Sequence, residues 1–245
     1  MIHPTSRGPV DTALIPGFGM NRGTYTRPIK ALHERGHRVI ALYADRTEEL
    51  WNPQAAVVSM VRHLEGRRGL PTNVVGHSFG GAAAILLARE RPDLVAELTL
   101  VDAAGIPFPG RTPTEWLAAL ARCVPAVDLR SLGALILRHV FESPRLKPTN
   151  LASAGAWVLH ADLRSDLAAL ATSTVTVSVI WGSDDHLFPQ SMGEEMASLT
   201  GGTLALVSGD HDWPLRSPQE FADSVEAAIQ SRKRNPEQRS LAPSA

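Results

Sequence analysis

The sequence predicts an α/β fold: a mostly parallel, doubly wound sheet of about six strands, covered by helices and interrupted by one helical insertion. Short β-branched runs alternate with longer helical patterns, as expected when each parallel strand is followed by a helical crossover. One long interval, 105–172, contains no strand pattern at all. The six predicted strands are 11–15, 37–42, 72–76, 96–101, 175–181 and 203–208.

The predicted helix starts combine a capping residue with a proline. Proline is favoured in the first turn of a helix, where its missing N–H would have no partner. Asn52-Pro53 and Thr112-Pro113 have this pattern, and Ser217-Pro218 adds a glutamate that completes a capping box. An apolar stripe at helical spacing follows the last of these and predicts a final helix over 218–230.

The interval 105–172 divides the predicted domain. Prolines separate it into several helical segments, which predicts a helical cap inserted between two parts of one core, 1–104 and 173–230. The C-terminal residues 231–245 are polar and contain prolines, so we expect a flexible, solvated tail there.

Composition excludes several classes of function. The 24 basic and 25 acidic side chains nearly balance, so the chain lacks the electrostatic signature of a nucleic-acid or anionic-membrane binder. A single cysteine, Cys123, cannot form an intrachain disulfide, which favours a cytoplasmic setting. The longest apolar run, 82–88, is too short to span a bilayer, so we expect a soluble protein. The composition leaves the oligomeric state open.

The strongest chemical motif is Gly-His-Ser-Phe-Gly-Gly at 76–81, between a predicted strand and a predicted helix. A serine at a sharp strand-to-helix turn is held in a strained backbone conformation, and small residues on either side let strand and helix approach. The turn would present Ser78 at the carboxyl edge of the sheet, beside the N-terminus of the next helix. Ser78 is therefore the candidate nucleophile.

A serine nucleophile needs a base, and the base needs an acid that orients it. Of the nine histidines, His33, His37 and His63 lie in or beside predicted amphipathic helices, and His77 is the variable residue of the serine turn. His211 instead follows the last strand, at the sheet edge where Ser78 is expected. Asp184 and Asp185 both follow the fifth strand, so each is a candidate acid.

These motifs resemble the α/β-hydrolase superfamily, in which serine, acid and histidine occur in this order along the chain. In the family, the loop after the fifth strand commonly has the form Gly-x-x-Asp, which selects Asp185 over Asp184. Some family members draw the acid from the fourth strand instead, which makes Asp102 a third candidate. The resemblance also implies an oxyanion hole made by two main-chain N–H groups, those of Phe79 and Phe18.

The sequence departs from the family pattern at three places. Pro16 stands where many relatives have a histidine before the glycine of the oxyanion loop. The first ten residues leave little room for the two antiparallel strands with which the family often opens. The residues 43–47 replace a glycine-rich turn that lines many family pockets, which weakens inference about the substrate by analogy.

The sequence thus predicts a serine hydrolase that cleaves a carboxylic ester of moderate size, or a related acyl compound, through an acyl-enzyme without a metal or organic cofactor. The same three residues could equally serve a thioesterase, a lactonase, an amidase or a carbon–carbon bond hydrolase. Aromatic residues of the cap are candidates for an apolar substrate pocket: Phe108, Trp116, Phe141 and Trp157.

Two other classes of function compete with hydrolysis. Gly17, Gly19 and Gly23 after the first strand loosely resemble a dinucleotide-binding turn, but their spacing is one residue longer than the usual fingerprint. A non-catalytic binding protein on the same fold is the second alternative. The presence of serine, acid and base in the expected order argues against it.

Overall fold

The computed structural model describes residues 11–18, 20, 23–43, 52–66, 72–107, 114, 153, 155–158 and 160–234. Within these residues, six strands form one sheet: β1 (Thr12–Ile15), β2 (Val39–Ala41), β3 (Thr72–His77), β4 (Val95–Val101), β5 (Thr176–Gly182) and β6 (Thr203–Val207). Each lies where the sequence predicts a strand, with ends that differ by at most two residues. All five strand pairings are parallel.

Seven α-helices have both ends within the described part of the chain. They are α1 (Thr26–Glu34), α2 (Pro53–Glu65), α3 (Phe79–Glu90), α4 (Arg164–Leu170), α5 (Gln190–Thr200), α6 (Trp213–Arg216) and α7 (Pro218–Arg234). Helix α2 begins as predicted, since the side chain of Asn52 accepts hydrogen bonds from the N–H groups of Gln54 and Ala55. None of the described helices combines the length and the apolar character that crossing a bilayer requires.

The helices cover both faces of the sheet, which confirms the doubly wound architecture. Alternate residues of the strands point to opposite faces, so Leu14 packs with α1 and α7 while its neighbours Ala13 and Ile15 pack with α2 and α3. The buried residues accordingly form two separate apolar clusters, one on each face of the sheet.

The strand order is β2-β1-β3-β4-β5-β6. The chain runs outward from β1 to β2 and then returns past β1 to β3, so the winding direction reverses between β1 and β3. Loops diverge at such a point and leave a crevice at the carboxyl ends of the strands, where ligands of open α/β sheets bind. Ser78 directly follows β3, and the loop 16–18 directly follows β1, so both flank this crevice.

The predicted helical insertion is only partly described. Its described residues are helical at 155–158 and in α4, and they include no strand. The N–H of Leu163 donates to the carbonyl oxygen of Gly105 at 2.7 Å, so the chain leaves and returns to the core at one point. Helix α4 then packs against α3 and α5 of the core. The division into core and cap stays a prediction.

The end of the chain differs from the prediction. The final helix extends to Arg234, four residues beyond the predicted end at 230, so the first part of the predicted tail is helical. The sequence favours this extension, because Ser231-Arg-Lys-Arg234 contains no helix breaker and the first proline follows at 236. The rest of the predicted tail lies outside the described residues.

Candidate active site

The turn after β3 holds Ser78 in an unusual backbone conformation. Its φ is 56° and its ψ is −127°, a region that L-residues rarely adopt and that persists only when the surrounding structure imposes it. The surroundings do so through close packing. A Cβ on Gly76 would lie 2.6 Å from that of Ala84, and a Cβ on Gly80 would lie 2.4 Å from the carbonyl oxygens of Ile15 and Pro16. The tight turn leaves Ser78 partly exposed at the sheet edge.

The structure brings Ser78, His211 and Asp185 together from three separate loops. The Nε2 of His211 lies 2.8 Å from the Oγ of Ser78, and its Nδ1 lies 2.8 Å from Oδ2 of Asp185. The other carboxylate oxygen of Asp185 accepts the N–H groups of Leu187 and Phe188 at 2.7 and 2.8 Å. These two bonds fix the carboxylate and leave one oxygen directed at the imidazole.

The surroundings of His211 limit its motion and change its basicity. Its ring packs edge-on against Phe188, with centroids 4.8 Å apart, and lies 5.3 Å from the ring of His77. Burial alone would lower the pKa of His211, but the negative charge and hydrogen bond of Asp185 outweigh it and raise the pKa to about 9. The carboxylate therefore makes the imidazole a stronger base.

The remaining candidate acids have other partners. Asp184 is exposed, and its side chain contacts the hydroxyl of Ser183. Asp102 is fully buried, but its two oxygens accept the N–H of Gly182 at 2.7 Å and the indole N–H of Trp213 at 2.6 Å. Neither aspartate hydrogen bonds to His211, so Asp185 is the one that meets the imidazole.

The residues predicted for the oxyanion hole lie beside the nucleophile. A Cβ on Gly17 would be 3.3 Å from the Cβ of Ser78, which places the Gly17–Phe18 loop against the serine. Within the described residues, the N–H groups of Phe18 and Phe79 donate no hydrogen bond. The rings of these two phenylalanines meet edge to face, with centroids 5.8 Å apart. Because the two main-chain N–H groups have no acceptor within the described residues, both are available to a ligand beside Ser78.

An apolar depression adjoins the oxyanion loop. It is lined by residues of the loops after β1 and β2 and of helices α2 and α3, including Phe18, Met20, Leu42, Pro53, Met60 and Phe79. Of the predicted pocket aromatics, Trp157 packs edge to face on Phe79, with centroids 5.3 Å apart. The other three, Phe108, Trp116 and Phe141, lie outside the described residues.

Sequence reasoning missed two residues of the site. His77, interpreted only as the variable position of the serine turn, is buried and bonds through Nε2 to the carbonyl oxygen of His211 at 3.0 Å. Its Nδ1 meets the hydroxyl of Tyr25, which also accepts the N–H of Gly17 at 3.3 Å. The placement of His77 between Gly76 and Ser78 was a signal, because a residue within a buried strand end faces the protein interior.

The fold and this site define a class: hydrolases with a serine, a histidine and an aspartate at the carboxyl edge of a parallel sheet. The model of the alpha/beta hydrolase family matches residues 13–224. The chain therefore belongs to this family, as the sequence predicted, and is a hydrolase of that family.

Relatives in the family have varied activities. The chain is 28% identical to the mouse sn-1-specific diacylglycerol lipase ABHD11 over 227 residues, which cover 80% of this chain and 73% of that protein. It is 21% identical to a 2-hydroxy-6-oxononadienedioate/2-hydroxy-6-oxononatrienedioate hydrolase of Pseudomonas sp over 80% of this chain and 79% of that one. Among solved structures, the esterase EaEST from Exiguobacterium antarcticum superposes with a TM-score of 0.75 at 16% identity, covering 91% and 93% of the two chains.

Proposed function

We propose that this hydrolase cleaves a carboxylic ester of moderate size through an acyl-enzyme formed on Ser78. The observation that supports the proposal most directly is the pair of 2.8 Å contacts by which the two ring nitrogens of His211 meet Ser78 and Asp185. Such an arrangement turns a weakly nucleophilic hydroxyl into an effective one, because proton transfer to the imidazole accompanies attack.

In the proposed mechanism, Ser78 Oγ attacks the carbonyl carbon while His211 Nε2 accepts the serine proton. Asp185 holds the Nδ1–H tautomer and stabilises the imidazolium that forms. The negative oxygen of the tetrahedral intermediate is bound by the N–H groups of Phe18 and Phe79. Removing one donor of this kind typically costs about 3 kcal/mol of transition-state stabilisation.

Collapse of the intermediate breaks the bond between the acyl carbon and the alcohol oxygen, and His211 donates its proton to the departing alcohol. A water molecule then attacks the acyl carbon while His211 accepts its proton. The second intermediate collapses to release the carboxylic acid, and the proton returns to Ser78. Each step needs only groups of this chain, the ester and water.

The depression beside Phe18 and Phe79 supports an apolar acyl or alkyl group as one part of the substrate. Most of the residues that line it are apolar, and it adjoins both proposed oxyanion donors. Apolar clefts with a few polar groups at one end are typical of small-molecule sites. The lipase and esterase named among the similar proteins are consistent with an ester, and the dienedioate hydrolase keeps carbon–carbon bond cleavage as the second candidate.

The test is covalent labelling of the full chain with a fluorophosphonate, followed by mass spectrometry of the peptides. We expect one modified residue, Ser78, and loss of both labelling and p-nitrophenyl ester turnover in Ser78→Ala. Conserving turnover in that variant would refute the proposal. Ser183→Ala, a change at a neighbouring exposed serine, is the matched control and should label like the unmodified protein.

A panel of esters then separates the candidates. Acyl chains of two to twelve carbons, offered as esters and as thioesters, test the apolar depression, and a vinylogous diketone tests carbon–carbon cleavage. We expect the highest kcat/KM on esters with a medium acyl chain. Turnover confined to the diketone would replace the ester hydrolase proposal with the second candidate.

A further inference from the structure

A buried hydrogen-bond chain connects the two halves of the candidate site behind Ser78. It starts at the N–H of Gly17 in the oxyanion loop, passes through the hydroxyl of Tyr25 and the ring of His77, and ends at the carbonyl of His211. Tyr25 is fully buried and His77 is 2% exposed. Gly17 and Tyr25 lie in the connection between β1 and α1, His77 is the last residue of β3, and His211 follows β6. The hydrogen bonds therefore join three separate parts of the fold.

The donors and acceptors fix the protonation state of His77. The carbonyl of His211 can only accept, so Nε2 of His77 must carry a proton. Burial, followed by the proximity of His211, lowers the pKa of His77 to about 3, so the ring is neutral and its Nδ1 is an acceptor. The hydroxyl of Tyr25 then donates to Nδ1 and accepts from Gly17. Each donor in this series of hydrogen bonds therefore has an acceptor.

The hydrogen-bond chain ends beside the proposed oxyanion hole on one side and beside the proposed base on the other. Gly17 immediately precedes Phe18, whose N–H is a proposed oxyanion donor, and its own N–H is directed away from the oxyanion by Tyr25. At the other end, the bond to the carbonyl holds the main chain of His211, whose ring lies on Ser78. A small displacement at either end would move a donor or the base relative to the nucleophile, and such misplacement is costly in catalysis.

We propose that Tyr25 and His77 are positioning residues that hold the oxyanion loop and the base loop in one fixed relation. This inference rests on the proposed function, since it concerns the geometry of the same reaction. Neither side chain touches the substrate. They act through the main chain at Gly17 and at His211, and the bridge that they form should influence kcat more than KM.

The first test is Tyr25→Phe, which removes one hydroxyl and keeps the buried ring. The substitution leaves the N–H of Gly17 and Nδ1 of His77 without partners. We expect kcat on a p-nitrophenyl ester to fall about 10- to 100-fold, the scale on which misplaced or missing catalytic hydrogen bonds act. KM should change less than about threefold, because the acyl depression is not involved.

Thr24→Val is the matched control. Thr24 is the preceding residue, is 3% exposed, and has a hydroxyl without a hydrogen-bond partner in the described structure. The change also removes one buried hydroxyl while keeping the side-chain shape. We expect kcat and KM of the unmodified protein, so a loss in Tyr25→Phe cannot be attributed to removal of any buried hydroxyl.

Two substitutions at position 77 separate the ends of the bridge. Gln can place an amide N–H near the position of Nε2 and keep the bond to His211, whereas Asn can place an acceptor near Nδ1 and keep the bond from Tyr25. We expect His77→Gln to retain more acylation rate than His77→Asn, because it keeps the base loop in place. Adding Tyr25→Phe should lower kcat further in His77→Asn but hardly in His77→Gln, which has already lost that bond.

The outcomes distinguish this inference from the proposed function. Ser78-dependent turnover with an unchanged kcat in Tyr25→Phe, or equal losses in kcat for Thr24→Val, would overturn the bridge and leave the ester hydrolase proposal intact. Labelling and turnover that persist in Ser78→Ala would refute the proposed function, and with it the catalytic purpose of the bridge. In ¹⁵N NMR spectra, His77 should be neutral with the proton on Nε2 from pH 5 to 9, and the other tautomer would also overturn the bridge.

Discussion

Two buried aspartates lie at the ends of neighbouring strands and have different partners. Asp102 follows β4 and Asp185 follows β5, and both are less than 10% exposed. At Asp102, each carboxylate oxygen accepts an N–H of the neutral scaffold, from Gly182 and from Trp213. At Asp185, main-chain N–H groups occupy one oxygen, and the other meets His211.

The comparison shows how the proposed triad acid differs from a structural carboxylate at this sheet edge. Burial and position after a strand are common to both residues. The difference is one oxygen that the scaffold leaves free and directs at the imidazole. Asp102 instead joins β5 to the segment that follows His211, since its partners are the last residue of β5 and the first residue of α6.

The two aspartates also differ in their electrostatic effects on the site. Burial, reinforced by the charge of Asp185, raises the pKa of Asp102 well above its usual range. The same two carboxylates both raise the pKa of His211, but Asp185 contributes through direct contact and Asp102 only through its charge. We therefore expect substitution of Asp185 to lower mainly the reaction rate and substitution of Asp102 to lower mainly the stability of the fold.

The largest effect should come from Asp185→Asn. The amide can present an N–H to His211 and favour the wrong tautomer, in which Nε2 carries a proton and cannot accept that of Ser78. We expect kcat to fall about 10³- to 10⁴-fold, as for the equivalent loss in other serine triads. The measurement is steady-state hydrolysis of a p-nitrophenyl ester at pH 8, with circular dichroism to verify folding.

Asp184→Asn is the control for that substitution. It changes the same residue type one position earlier, on an exposed side chain that does not contact His211. We expect kcat within about twofold of the unmodified protein. A loss at Asp184 comparable to the loss at Asp185 would contradict the assignment of the acid.

The second effect should be the cost of Asp102→Asn in stability. An amide has one acceptor, so either Gly182 or Trp213 loses its partner in a buried place. Leaving one such group unpaired costs about 1–3 kcal/mol of unfolding free energy, which lowers the Tm by roughly 2–4 °C for each kcal/mol in a chain of this size. Thermal unfolding followed by circular dichroism measures it. A 10³-fold loss of kcat with unchanged Tm would reverse the roles of the two aspartates.

The pH dependence of that cost is a smaller effect. The folded-state pKa of Asp102 is raised, so its carboxyl contributes most stability below the unfolded pKa of about 4, and this contribution is lost as pH rises through the folded value. We therefore expect Asp102→Asn to be more destabilising at pH 5 than at pH 8. Urea unfolding at the two pH values measures the difference. A cost that increases with pH would contradict the raised pKa.

The sequence predicted most of the fold because the local signals agreed with the global pattern. All six strands were visible as β-branched runs, and Asn52-Pro53 marked the start of α2 by the chemistry of its cap. The end of α7 was misplaced by four residues because a fraying polar helix and a polar tail have the same composition. The predicted boundaries of the cap were not tested.

The candidate site was predictable where loops follow strands and unpredictable where side chains face inward. Ser78, Asp185 and His211 could be placed because parallel strands bring their carboxyl ends to one edge. The structural partners of Asp102 could not be predicted, since its contact with Trp213 joins residues 111 positions apart. The role of His77 was missed for the same reason, since a motif specifies the turn but not the groups packed beneath it.

The smallest effect should be a shift in the pH range over which kcat/KM rises. In the proposed mechanism, acylation requires neutral His211, so we expect kcat/KM to fall as pH drops below the pKa of that residue. Because the pKa is raised to about 9, we expect kcat/KM of the unmodified protein to rise up to about pH 9. The ordinary histidine value of about 6.5 would give a plateau already at pH 8. Asp102 carries a negative charge only at pH values above its own raised pKa. In that range Asp102→Asn removes the charge and should shift the rise of kcat/KM slightly toward lower pH, without changing the plateau more than about tenfold. Initial rates on a p-nitrophenyl ester from pH 5 to 10, corrected for spontaneous hydrolysis, measure both. If kcat/KM rose with a midpoint near pH 6.5 in both proteins, the two carboxylates would not raise the pKa of His211 as their positions indicate.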